Sequence, residues 1–213
     1  MKKDLTELIF ILDRSGSMSG LEEDTIGGFN SLIRKQRKEP GDCIVTTVLF
    51  DDKYELLHDR LDLKGVEEMT DRDYYVRGST ALLDAIGRTI AKTDNARRHT
   101  AEAERAEKVV MVITTDGMEN ASREFDARKV RKMIERHKEE GWEFLFLGAN
   151  IDAVETASRF GIGADRAANY HADSAGTKLN FEVLSDAVKS FRACAAMPVG
   201  WKKRIDEDYE SRE

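Results

Sequence analysis

The sequence predicts an α/β protein: a doubly wound, mostly parallel sheet with helices on both faces. Two observations carry this expectation. Short apolar runs alternate along the chain with segments whose apolar residues recur at helical spacing, and two of the runs lie so close together that they must pair as an antiparallel hairpin. A third observation says where to look for function: several runs end abruptly in turns rich in side-chain oxygen.

Leu8 to Leu12 is continuously apolar, the pattern of a strand covered on both faces, and it stops at Asp13. Leu21, Thr25, Phe29, Leu32 and Ile33 then mark a helix that Pro40-Gly41 ends. Cys43 to Phe50 is a β-branched apolar run, and Asp51-Asp52-Lys53 turns it into Tyr54 to His58, the hairpin partner expected at a sheet edge. Leu82, Ile86 and Ile90 place a second helix just after Thr80, followed by a buried strand at Val109 to Thr114. Val130, Met133, Ile134 and His137 form a third helix closed by Gly141, and Phe144 to Leu147 is the next strand. A helix over Ile151 to Phe160, a weak strand at Ala167 to Tyr170 and a helix carrying Leu184, Ala187, Val188 and Phe191 complete the alternation. Residues 1–197 read as one domain and 198–213 as a charged tail.

A chain of 213 residues can bury a full core without staples, and 40% hydrophobic with 35% charged residues excludes extended disorder. The formal charge of -7 argues against a general nucleic-acid binder. The short basic runs Arg97-Arg98-His99 and Lys202-Lys203-Arg204 have acidic neighbours and read as solvated surface. No apolar stretch approaches the ~20 residues of a membrane span. Cys43 and Cys194 lie in apolar patterns, not in ligand spacing, so buried reduced thiols and a cytoplasmic setting are expected.

In such sheets ligands sit outside the carboxyl ends of the strands, where strand order reverses. The residues there are Asp13-Arg-Ser-Gly-Ser17, Asp51-Asp52, Thr115-Asp116-Gly117 and Gly148-Ala-Asn150, with Thr80 at a helix start. Carboxylates gathered at one rim repel one another unless a cation lies among them. A set of Ser, Thr and Asp without His or Cys suits Mg²⁺ or Mn²⁺ better than zinc. Asp13, Ser15 and Ser17 alternate, so an extended turn aims all three at one point, and Gly16 lets the backbone bend there. Taken alone, the triplet is equally a strand-to-helix turn with a capping serine; Thr80 and Asp116 tip the balance to metal. Asp51 and Asp52 read as hairpin-turn residues with Asp51 a candidate to support the site, Asn150 as a cap of the fourth helix, and His58, His99, His137 and His171 as unconnected with any metal.

Asp13-x-Ser15-x-Ser17, Thr80 within "RGSTALLDA" and Asp116 within "TTDGMEN" together resemble the metal ion-dependent adhesion site (MIDAS) of von Willebrand factor type A (VWA) domains. The likeness spans about Leu5 to Phe191, with Gly78-Ser79-Thr80 in place of the usual Gly-Gly-Thr. The resemblance implies a six-stranded, Rossmann-like sheet of order 3-2-1-4-5-6 with strand 3 antiparallel at an edge. It implies that Ser15 and Ser17 coordinate the ion, that Thr80 joins them when a ligand is engaged, and that Asp13 and Asp116 hold its waters. The last position would go to an Asp or Glu from a partner protein. Met18, Tyr74, Tyr75, Arg77, Met118, Glu119 and Asn120 flank these motifs and are expected at the rim. The chain is thus expected to be a stand-alone, bacterial-type intracellular binding module, not an enzyme, with neither nucleic acid nor membrane as partner. A Mg²⁺-dependent phosphohydrolase and a metal-free scaffold subunit are the alternatives. The first usually requires a second carboxylate where Ser15 stands.

Overall fold

The computed structural model describes residues 1–212. Six strands form one sheet of order β3-β2-β1-β4-β5-β6. They are β1 (Lys2–Asp13), β2 (Asp42–Phe50), β3 (Tyr54–Asp62), β4 (Ala106–Thr115), β5 (Glu143–Gly148) and β6 (Ala167–Asn169). All neighbours run parallel except β2 and β3, which pair antiparallel and put β3 at the edge. The expected sheet is therefore the observed one.

Six α-helices cover it: α1 (Glu22–Gln36), α2 (Leu82–Arg98), α3 (Ala127–Glu139), α4 (Ala153–Arg159), α5 (Ser174–Cys194) and α6 (Lys203–Ser211). Strand side chains alternate between the two faces, and β1 shows how that divides the core. Leu8, Phe10 and Leu12 pack with Phe29 and Ile33 of α1 and with Leu184 and Phe191 of α5. Ile9 and Ile11 point the other way, toward Leu82 and Ile86 of α2 and Val130 and Ile134 of α3. Both faces are covered, which is why the run reads as continuously apolar instead of alternating.

The segment after Pro198, expected as a charged tail, contains α6. Its Ile205 is buried in the same cluster as α1 and α5, and Tyr209 stacks on His171 with ring centroids 4.7 Å apart. Trp201, Ile205 and Tyr209 recur every fourth residue, but three positions in a short, highly charged run are a weak periodic signal for a helix. None of the described helices is long and apolar enough to cross a membrane.

Strand order reverses between β1 and β4, whose carboxyl ends lie side by side with Leu12 opposite Thr114. Asp13 ends the first strand and Asp116 directly follows the second. Because both strands are fixed on both faces by the core, the two carboxylates are carried to the crevice on rigid supports.

Candidate metal centre

After Asp13 the chain makes a tight 3₁₀ turn over Gly16–Met18. Asp13 Oδ1 accepts from the backbone N–H of Ser15 at 2.7 Å, which closes the turn and fixes where the two serines stand. Ser15 Oγ and Ser17 Oγ then lie 3.1 Å apart. The other oxygen of Asp13 accepts from Thr115 Oγ1 at 2.6 Å and from Asp116 N at 3.4 Å, so the β1 and β4 ends are stitched through one carboxylate.

Asp116 presents its carboxylate differently. Oδ1 accepts from the Asn150 side-chain amide, whereas Oδ2 is buried without a hydrogen-bond partner. Burial, with Asp13 nearby, pushes the Asp116 carboxyl up to about 6 against the Asn150 hydrogen bond. Burial raises Asp13 as well, against its hydrogen bonds from Ser15, Thr115 and Asp116. Two buried carboxylates that resist ionisation, one with an orphaned oxygen, form a site short of positive charge.

Thr80 reaches the same place from a third segment. A Cβ placed on Gly117 would stand 3.0 Å from Ser17 Oγ and 3.5 Å from Thr80 Oγ1, so both hydroxyls border that glycine. Thr80 is buried, its N–H donates to Asn120 Oδ1 at 3.0 Å, and its carbonyl accepts from the N–H groups of Asn120 and Ala121. All five residues expected from the sequence thus belong to one crevice. No group of three or more His, Cys, Asp or Glu suited to a metal occurs among the described residues; this centre is built from two carboxylates and three hydroxyls. Such hard oxygen donors, together with the orphaned Asp116 Oδ2, fit a divalent cation.

The expected rim needs correction. Met18 is buried, because the 3₁₀ turn folds it inward. Tyr74 is also buried and donates its hydroxyl to the Asp13 carbonyl. Glu119 turns back to accept from the N–H groups of Leu83, Ala121 and Ser122, serving the start of α2 and its own loop. Asn120 is exposed but spends its Oδ1 on the Thr80 N–H, and the partly exposed Arg77 is paired with Asp51 at 2.6 Å. Tyr75 and Met118 are the exposed large apolar members, at 43% and 73% of their surfaces.

Asn150 does not cap α4, a task Asp152 performs by accepting from Glu155 N. Asp51 is fully buried and accepts from Arg14 and Arg77. Burial alone would raise its carboxyl, but hydrogen bonds from Arg77 and the Lys53 N–H, with the Arg14 charge, hold it below the usual range. Sequence reasoning placed Arg14 and Thr115 just after the strands but gave neither a role; an Arg directly after an apolar strand was the one available signal for Arg14. The histidines bond elsewhere, to Thr47, Asn95, Glu140 and Tyr209. Cys43 is buried, its thiol pushed up to about 12 by burial, whereas Cys194 is exposed at the end of α5, contrary to expectation.

No protein family and no curated protein matches this sequence. Solved structures do. Proximal thread matrix protein 1 from the mussel byssus superposes with a TM-score of 0.56 at 14% identity, over 88% of this chain and 46% of that one. A further structure of that mussel protein has a zinc-occupied MIDAS motif. The ArnB paralog VWA2 from Sulfolobus acidocaldarius gives 0.52 at 18% identity, over 88% and 45% of the two chains. Manganese-loaded TRAP protein from Plasmodium vivax gives 0.50 at 17% identity, over 70% and 58%. This chain spans roughly half the length of each of these. At such low identity the likeness concerns architecture, and it coincides with the observed strand order: the chain has the fold of the von Willebrand factor type A domain.

Proposed function

We propose that this chain is a divalent-metal-dependent protein-interaction module that captures an acidic side chain of a partner, with Mg²⁺ or Mn²⁺ as its ion. The observation that carries this reading is the buried, unpartnered Asp116 Oδ2 beside a second buried carboxylate, in a crevice bordered by the Ser15, Ser17 and Thr80 hydroxyls. Ser15, Ser17 and Thr80 would hold the ion by their hydroxyls, with Asp13 and Asp116 balancing its charge. A cation held mainly by neutral oxygens keeps much of its charge and attracts an incoming carboxylate. That zinc and manganese occur in structures of this fold is consistent with the proposal.

The chain's own residues prepare the site. Thr115 and the Ser15 N–H orient Asp13, Asn150 orients Asp116, and Asn120 holds the backbone of Thr80. We read the site as binding without catalysis because Ser15 stands where a Mg²⁺-dependent phosphohydrolase usually places its second carboxylate. The free thiols Cys43 and Cys194 suit a reducing, cytoplasmic setting.

Affinity capture from native cell extract, run in Mg²⁺ and in EDTA with Asp13→Ala as control, tests the proposal. A protein retained only by the wild-type chain in Mg²⁺ supports it. Equal capture in EDTA or by the variant refutes it.

A further inference from the structure

Beside the crevice lies a buried ionic cluster that coordinates nothing in the scheme above. Arg14 stands between Asp13 and Ser15 in sequence, yet its side chain is fully buried and bonds to neither of them. Its Nε donates to Asp51 Oδ2 at 3.0 Å and its Nη1 to the Asp73 carbonyl at 3.3 Å. Arg77 Nε donates to the same Asp51 oxygen at 2.6 Å, while Asp51 Oδ1 accepts from Lys53 N at 2.7 Å.

The backbone repeats these links. Arg14 N donates to Phe50 O at 2.8 Å, Arg77 N to Arg14 O at 2.9 Å, Gly16 N to Gly78 O at 3.3 Å and Ala81 N to Asp51 O at 2.9 Å. Asp51 therefore grips the turn carrying Ser15 and Ser17 through Arg14. Through Arg77 and its own carbonyl it grips both ends of the loop that carries Thr80. Gly78 turns the loop with a left-handed φ of +66°, a conformation that favours glycine, and a Cβ there would meet the Asp52 carboxylate at 2.2 Å.

Burying charges is expensive, and an apolar cluster of equal volume would often serve stability as well or better. What an apolar cluster lacks is direction. The buried Asp51 carboxylate is shared by two guanidinium groups, each on a different loop, and fixes the distance between those loops; the half-exposed Glu55 accepts from the same pair, at 2.5 Å from Arg14 Nη2 and 3.5 Å from Arg77 Nη2.

We propose that Asp51, bridged by Arg14 and Arg77, is a positioning residue that presets the Thr80 hydroxyl against the Ser15 and Ser17 hydroxyls before any ion arrives. The inference rests on the metal-site reading above. It assigns Asp51 no contact with the ion. Without the bridge the Thr80 loop still follows the chain but samples other positions, and binding then includes the cost of ordering it.

The probe is Mn²⁺ binding followed by electron paramagnetic resonance and calorimetry on the wild type, Asp51→Asn, Thr80→Ala and the double variant. Asp51→Asn is expected to weaken Mn²⁺ binding by about tenfold or more, the range for residues that orient metal ligands. Because Asp51 acts through Thr80, the double variant should bind no more weakly than the weaker single one. In metal-free Asp51→Asn, amide exchange should quicken at Gly78 to Ala81 while the far-ultraviolet spectrum is unchanged. Arg77→Gln, at a partly exposed position, supplies a milder second variant if Asp51→Asn does not fold, with the same non-additivity toward Thr80→Ala expected. Wild-type affinity in Asp51→Asn, or losses that multiply in the double variant, would overturn the positioning role alone. Failure of the wild type to bind Mn²⁺ would overturn the metal site and this inference with it.

Discussion

Asn150 and Asp116 are 34 residues apart in sequence, yet the amide of the first donates to Oδ1 of the second and leaves Oδ2 buried and unpartnered. Asn150 achieves this from the left-handed backbone region, with φ +53°, a conformation that Asn tolerates better than most residues. The carboxylate is thereby turned so that one oxygen is bound and the other is available.

Removing that amide should loosen the site without straining the chain. Asn150→Gly keeps the left-handed turn and is expected to weaken Mn²⁺ binding about tenfold, with little change in melting temperature. Calorimetric titration measures it; unchanged affinity would show that Asp116 is oriented by something else.

An ion that binds only the folded crevice must stabilise the fold. At about 100 times its dissociation constant it contributes about 2.7 kcal/mol, roughly 5–10 °C in a domain of this size. Thermal melts should rise with added Mg²⁺, fall back with EDTA, and show no response in Asp13→Asn.

Gly117 tests the room in the crevice. Its added methyl in Gly117→Ala would press on Ser17 Oγ at 3.0 Å and stand in ordinary contact with Thr80 Oγ1 at 3.5 Å. Metal affinity should drop several-fold while stability changes by about 1 kcal/mol or less, a contrast visible by pairing titration with urea unfolding.

Asp84, buried at the start of α2, accepts from the N–H groups of Arg123, Glu124 and Phe125. Burial opposes ionisation, but those three donors, together with Arg88, outweigh it and hold the carboxyl below its usual value. A depressed carboxyl adds stability above its unfolded pKa, about 3.9, and that stability is lost as the pH falls toward the folded value. Asp84→Asn should therefore destabilise by about 1–3 kcal/mol at neutral pH. In unfolding curves the gap from wild type should narrow below about pH 4; a constant gap would contradict the assignment.

Ile205 tests whether residues beyond Pro198 belong to the folded unit. It is buried with the cluster of α1 and α5, so Ile205→Ala should cost about 2–5 kcal/mol in a single cooperative transition. A loss below about 0.5 kcal/mol would make α6 an independent appendage.

Local pattern made the strands, the hairpin and the five residues that meet at the crevice legible. Asp13, Ser15 and Ser17 sit directly after a continuous apolar run, and Asp116 after another, so short-range signals pointed at both ends of the crevice. The rim was not legible. Met18, Tyr74 and Glu119 flank the motifs in sequence, but adjacency along the chain does not say which way a loop side chain turns. The structure sends Met18 and Tyr74 into the interior and Glu119 back onto its own loop and the N-terminus of α2.

By itself the sequence determined which residues could bind a hard cation and which elements would carry them, because apolar periodicity and donor chemistry are written residue by residue. Only the tertiary structure decided how those donors are held. Arg14 with Asp51, Asn150 with Asp116 and Thr115 with Asp13 are pairs separated by 37, 34 and 102 residues. Such partners are chosen when the sheet brings strand ends side by side, and the cost of leaving buried polar groups unsatisfied then selects the pairing.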